Sequence, residues 1–272
     1  MQLVRTGPGF GKLVTASYGF MERNFTLVKR YLGWEIVFLA YTAVNSLSIA
    51  FIGISVGNPQ LTVFLVIGAL MWGFLGILFH EVTESVAWER WEGTIEYTFM
   101  APIRRFTMLI GTCFYATVYG LVRSIVILFV MFLFLDINLV GANWLAAVVI
   151  IMASSLSFIG LGLIAATLPL LSPERGPQAT HIIQALIMLV SGVYYDVSVL
   201  PAWLQPVSVI SPATYTLRSV RAVLLGGASW GDILPDLGLL LVIGAAFIPL
   251  GLFIFNLAEQ RAKRTGKLKR SG

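Results

Sequence analysis

The chain reads as an all-α membrane protein with six transmembrane helices, and three observations predict it. Hydrophobic residues make up 58% of the 272 residues, charged residues only 11%, and the mean hydropathy is +0.87; water-soluble domains carry far more charge. Six apolar runs, at 36–57, 61–80, 106–135, 144–171, 179–198 and 233–257, each supply the ~20 helical residues that cross a hydrocarbon core of ~30 Å. The basic residues alternate between the connections. Arg5, Lys12, Arg23, Lys29 and Arg30, then Arg90, Arg104 and Arg105, then Arg175, then Arg261, Lys263, Arg264, Lys267, Lys269 and Arg270 fall on one side. The other side holds Arg218 and Arg221, with Arg123 inside a span. An excess of Lys and Arg marks the cytoplasmic face, so both termini are expected in the cytoplasm.

Taken in order, residues 1–19 are Gly-rich and read as a flexible cytoplasmic N-terminus. Residues 20–32 follow as an amphipathic helix. Phe20, Met21, Phe25, Leu27, Val28, Tyr31 and Leu32 share one side, opposite Glu22, Arg23, Lys29 and Arg30, a pattern that suits a helix lying in the membrane interface. Residues 33–258 form one transmembrane domain. Asn58-Pro59 makes a tight outer turn between spans one and two, where Gly53 and Gly57 permit close helix contact. Span two leads into Trp88–Met100, which has helical periodicity but is too polar to insert. A short outer loop, 136–143, joins spans three and four, and the brief Ser172–Pro177 link joins spans four and five. Asp196–Asp232 stays outside, with two short helical elements expected at Pro201–Val209 and Pro212–Leu225. A basic cytoplasmic tail, 259–272, closes the chain.

The formal charge of +5 sits in the tails and cytoplasmic loops. Its expected contact is anionic lipid headgroups; nucleic acid is not an expected partner. Cys113 is the single cysteine, so no disulfide forms within the chain. No cleavable signal peptide is expected, because the first 33 residues are polar and charged.

Two motifs tempt and fail. Gly7–Lys12 resembles a phosphate loop, but Thr6 stands where that motif needs glycine and Leu13 where it needs Ser or Thr. The chain is therefore expected to bind no ATP and no cofactor of its own. His80-Glu81-Val82-Thr83-Glu84 places His80 and Glu84 on one helix face with Glu81 between. With His181 that would suit an intramembrane zinc protease in which Glu81 is the general base. A Glu replaces the usual second His, and a charged cap to span two is the plainer reading. A transporter driven by an ion gradient is a third possibility, disfavoured because acidic residues lie near span ends or in loops.

Two segments carry a family resemblance. One is Glu89-Arg90-Trp91-Glu92-Gly93-Thr94-Ile95-Glu96 followed by Ala101-Pro102-Ile103. The other runs from Ser191-Gly192-Val193-Tyr194-Tyr195 through Leu200-Pro201-Ala202-Trp203-Leu204 and Ser211-Pro212-Ala213-Thr214-Tyr215 to Arg221–Gly227. With the six-span pattern, these resemble the permease subunit of type-2 ABC exporters, which move drugs, lipids or glycans. The resemblance implies a homodimer, or a dimer with a related permease, in a prokaryotic plasma membrane. It also implies two separate cytoplasmic ATPase subunits, which bind ATP and Mg.

In such a permease, Trp88–Met100 would be the coupling helix that docks on the ATPase. Its residues suit that role: Trp88, Trp91, Ile95 and Phe99 form one stripe, with Glu89, Glu92 and Glu96 beside it. Aromatic anchors give affinity and charges give register; the alternative is that the aromatics lie in the lipid interface. The outer segment would supply short re-entrant helices that cap the pathway, with Trp203, Tyr215, Arg218 and Arg221 as outer-gate residues. An amphipathic loop on the outer leaflet is the alternative there. Arg123 would cost about 2.5–3.5 kcal/mol at the lipid-facing middle of a span. It is therefore expected to point into the bundle or the pathway, with Tyr119 four residues earlier on the same face. There it would either stabilise packing or attract an anionic group on the cargo.

Overall fold

The computed structural model describes residues 10–100, 105–136, 141–172 and 174–265. Within them the protein is helical, with no strand. In chain order the helices are α1 (Phe10–Arg30), α2 (Leu32–Ser55), α3 (Pro59–Glu92), α4 (Ile95–Met100), α5 (Arg105–Phe134), α6 (Trp144–Ala165), α7 (Thr167–Leu171), α8 (Gly176–Val190), α9 (Gln205–Ser208), α10 (Pro212–Leu225) and α11 (Trp230–Arg264).

Five segments are long and apolar enough to cross a membrane: α2, α3, Thr107–Phe134 of α5, α6 continued through α7, and α11. The fifth apolar run, expected over 179–198, differs. Its helix α8 has 15 residues and ends at Val190, a rise of about 22 Å. The helix stops because the chain turns at Gly192, whose φ of +68° only glycine adopts without strain. Beyond it lie an irregular stretch and a 3-10 turn at Val197–Val199.

The amphipathic helix also differs from expectation. It begins at Phe10, ten residues earlier than the periodicity of 20–32 indicates, and lies along α5. The fit is close: Ser17 Oγ donates to the Thr107 carbonyl at 3.0 Å, and the Phe25 and Tyr115 rings meet edge-on at 5.0 Å.

Helices α6 and α11 form the most intimate pair. Glycines make this possible: a Cβ on Gly160 would lie 2.6 Å from the Phe247 Cβ, and one on Gly251 2.8 Å from the Leu163 Cβ. Small residues that let backbones approach are how helices pack where lipid removes the hydrophobic drive. Ser157 Oγ adds a hydrogen bond to the Leu240 carbonyl at 2.6 Å. The large buried side chains are carried chiefly by α3, including Phe74, Leu75, Leu78 and Phe79, with Phe158 of α6 and Met131 of α5. Helix α3 is the central post: α2, α5, α6, α8 and α10 all pack on it.

Candidate functional site

Three places along α3 gather the polar and aromatic side chains that an apolar bundle does not need. The first is the charged end of α3. The sequence predicts one helix over Trp88–Met100; the structure breaks it. Trp88–Glu92 are the last turn of α3, Gly93 caps it in the left-handed conformation (φ +76°), and α4 starts afresh at Ile95. Hydrogen bonds from Gly93 N–H to the Arg90 carbonyl (3.2 Å) and Thr94 N–H to the Glu89 carbonyl (2.9 Å) close the cap.

The elbow divides the expected docking residues. Trp88 and Trp91 are exposed, the latter 62%, with ring centroids 6.1 Å apart, and Glu92 is exposed beside them. Ile95 points the other way, 1% exposed among Val82, Val86, Leu109 and Phe255. Glu89 is also buried and accepts from Arg23 of α1 at 2.9 Å. The single-helix stripe fails because Gly93 resets the phase between Trp91 and Ile95. The side chains of Glu96 and Phe99 lie outside the described residues. Tyr97 and Met100 are exposed on α4 and extend the surface.

The second place is at mid-bundle. Arg123 of α5 turns inward as the sequence predicts. It donates to Tyr119 Oη at 3.0 Å and Thr42 Oγ1 at 3.3 Å, and its guanidinium lies 5.5 Å from the Tyr119 ring centre. Tyr119 in turn donates to Glu35 Oε2 at 2.5 Å. A carboxylate, a phenol and a guanidinium thus form a chain between α2 and α5. Sequence reasoning missed Glu35 and Thr42. Helix α2 carries both, but nothing in a single sequence pairs α2 with α5. The chain borders a groove of about 470 Å³ between α2, α3 and α8.

His80 and His181 sit near that groove with rings stacked 6.1 Å apart. Among the described residues no group of three His, Cys, Asp or Glu side chains is placed to hold a metal ion. The zinc-protease alternative therefore lacks its centre in this geometry.

The third place is the segment between α8 and α11. Helix α10 spans Pro212–Leu225 as expected, whereas the element expected at Pro201–Val209 shrinks to the four-residue α9. Arg221 guanidinium nitrogens donate to the carbonyls of Gly192 (2.9 Å) and Val193 (2.5 Å) and cover the Phe64 ring at 3.5 Å. Burial pulls this guanidinium down to about 10, still cationic at neutral pH. The α8 helix breaks at those carbonyls, so Arg221 satisfies the backbone that the break leaves open.

Arg218 reaches the other way. Its Nε donates to Asp236 Oδ2 of α11 at 2.8 Å, a second nitrogen donates to Oδ1, and Ser219 Oγ donates to Oδ2 at 2.8 Å. The Asp236 carboxylate raises the guanidinium above its ordinary value. Tyr215 donates to the Val209 carbonyl at 2.6 Å, and Trp203 is 75% exposed. Of the expected gate residues, Arg218 and Arg221 tie the segment to α11 and to the end of α8, Tyr215 bonds within it, and Trp203 projects from it. Asp236, missed in the sequence, reads there as one more helix-end acid.

The chain thus combines five helices long and apolar enough to cross a membrane, an aromatic elbow at the end of α3 and a short helix, α10, before the last long one. The ABC-2 type transporter profile matches residues 20–225, most of the chain. The chain belongs to the ABC-2 type transporter family and is a type-2 ABC permease. It is also similar to the linearmycin resistance permease protein LnrN of Bacillus subtilis (strain 168), at 26% identity over 117 residues. That match covers 42% of this chain and 30% of the relative.

Proposed function

We propose that the chain is the membrane subunit of an ATP-driven exporter in a prokaryotic plasma membrane. Two copies pair, and two separate cytoplasmic ATPase subunits supply ATP, Mg and hydrolysis. The observation that carries this reading is the elbow at Gly93. It holds Trp88, Trp91 and Glu92 exposed beyond the apolar part of α3, with Tyr97 and Met100 following on α4. An ATPase seated there would push on α3, on which α2, α5, α6, α8 and α10 pack, so movement at the elbow would reach the whole bundle. The ion pair between exposed Arg23 and buried Glu89 would carry the same movement into α1.

Both termini are cytoplasmic in this reading, and α8 with the stretch to Leu200 makes the sixth crossing. Non-helical backbone at membrane depth is tolerated only where protein satisfies it, and the two Arg221 bonds at the end of α8 supply that. A relative named for resistance supports an amphipathic drug-like cargo over a lipid or glycan.

The test is association. Trp91→Ala and Glu92→Lys should each weaken co-purification of the ATPase subunit, or uncouple ATP hydrolysis from transport. Membrane insertion should be unaffected. Unchanged association and unchanged substrate-stimulated hydrolysis in both variants would overturn the docking surface.

A further inference from the structure

Resting on the transporter reading, we infer that the groove between α2, α3 and α8 binds cargo carrying a protonated amine or quaternary ammonium group. Three independent features meet there. The first is polarity on an outward face. Asn45, inside the first apolar run, and His80, the last residue of the second, are exposed on the outside of the bundle, and Glu81 lines the same groove. Lipid tails offer such groups no hydrogen bond, so exposed polar side chains within a span mark a place that something polar fills.

The second feature is charge. Glu35 is engaged by the Tyr119 hydroxyl, and Arg123 by Tyr119 and Thr42. Among the described residues Glu81 forms no hydrogen bond or ion pair, although it lines the same cavity. The guanidinium that lines the groove, Arg123, is thus taken up by Tyr119 and Thr42, and the Glu81 carboxyl has no counter-ion within hydrogen-bond reach among the described residues. A carboxylate poorly reached by water gains most from an ammonium group brought to it and repels an anion.

The third feature is aromatic. Trp72, Tyr41 and Tyr194 line the same groove, and ring faces attract ammonium groups while their edges accept an apolar tail. The groove, at about 470 Å³, is of the size that holds a drug-sized headgroup.

The probes are ω-bromoundecyl-trimethylammonium and ω-bromoundecanoate, whose bromine quenches nearby tryptophan. Each is titrated into the purified full chain in neutral detergent micelles. The cation should quench saturably, and most of that quenching should vanish in Trp72→Phe. Glu81→Gln should weaken the apparent Kd about tenfold or more, and Glu81→Asp should stay within about threefold of the wild type. The anion should quench without saturating.

Four results would each overturn the assignment. They are equal binding of the anion, unchanged cation affinity in Glu81→Gln, no Trp72-dependent quenching because a second copy covers the groove, and loss of folded protein in Glu81→Gln, which would make the carboxylate a structural partner. ATPase association is read separately. Its failure would remove the ATP-driven reading without touching this site, and failure of the cation titration would leave that reading standing.

Discussion

Arg218→Ala should cost more stability than Asp236→Asn, although both break the same ion pair. Asp236 is 6% exposed and receives two guanidinium nitrogens and the Ser219 hydroxyl, whereas the Arg218 side chain is 62% exposed. Removing one partner of a fully buried pair costs about 3–5 kcal/mol. Here water reaches the site along the path of the missing arginine, so the expected cost falls to about 2 kcal/mol. The asparagine variant leaves a solvated guanidinium and an amide that still accepts from Ser219, at about 1 kcal/mol.

For a chain of this size each kcal/mol moves the Tm by about 2–4 °C. Thermal unfolding in detergent, followed by tryptophan fluorescence, should show a fall of about 6 °C for Arg218→Ala and about 3 °C for Asp236→Asn. Combining the two should be milder than Arg218→Ala alone, because the orphaned charge is gone. Equal falls, or the reverse order, would refute the argument that the buried carboxylate sets the cost.

Gly160→Val should lower the Tm markedly, since its Cβ would meet the Phe247 Cβ at 2.6 Å and the Ile248 backbone nitrogen at 2.9 Å; overpacking costs about 1–3 kcal/mol, and an unshifted Tm would mean the α6–α11 seam yields. Gly93→Ala forces a left-handed alanine at φ +76°, costing about 1–2 kcal/mol. It should reduce ATPase association more than it reduces Tm, whereas loss of fold alone would contradict the elbow's role. Single cysteines at Ser229 and Ser271 in a Cys113→Ala background should label from opposite faces of sealed vesicles, with Ser229 outside; labelling from one face would refute six crossings. Tyr119→Phe removes the hydroxyl that joins Glu35 to Arg123, and a loss of about 1–3 kcal/mol is expected from the two groups it leaves behind.

The all-helical membrane architecture was legible in the sequence because apolar run length is a local property. The Pro212–Leu225 helix was legible for the same reason: a proline opens it and a glycine pair ends it. The elbow was not. A periodicity read across Gly93 is correct in composition and wrong in phase, since one left-handed residue redirects everything after it. The same limit hid the end of α8 at Val190, where Gly192 breaks the run read over 179–198. Partners across helices were invisible too. Arg123 announced itself by its cost in lipid, but Glu35, 88 positions earlier in the chain, becomes its neighbour only when α2 lies beside α5. Glu81 appeared as part of a zinc-protease decoy, and its unpaired state emerges only from the packing of α2, α3 and α5.

The central claim is that this permease works as two copies joined to two ATPase subunits through the α3–α4 elbow. The most direct measurement is the mass and hydrolytic activity of the assembly purified through a tag on this chain after co-expression with an ABC ATPase subunit from the same genome. The account predicts a single species of two permeases and two ATPases that hydrolyses ATP and dissociates when Trp91→Ala is introduced. A permease that elutes free of ATPase, or a complex indifferent to that substitution, would contradict it.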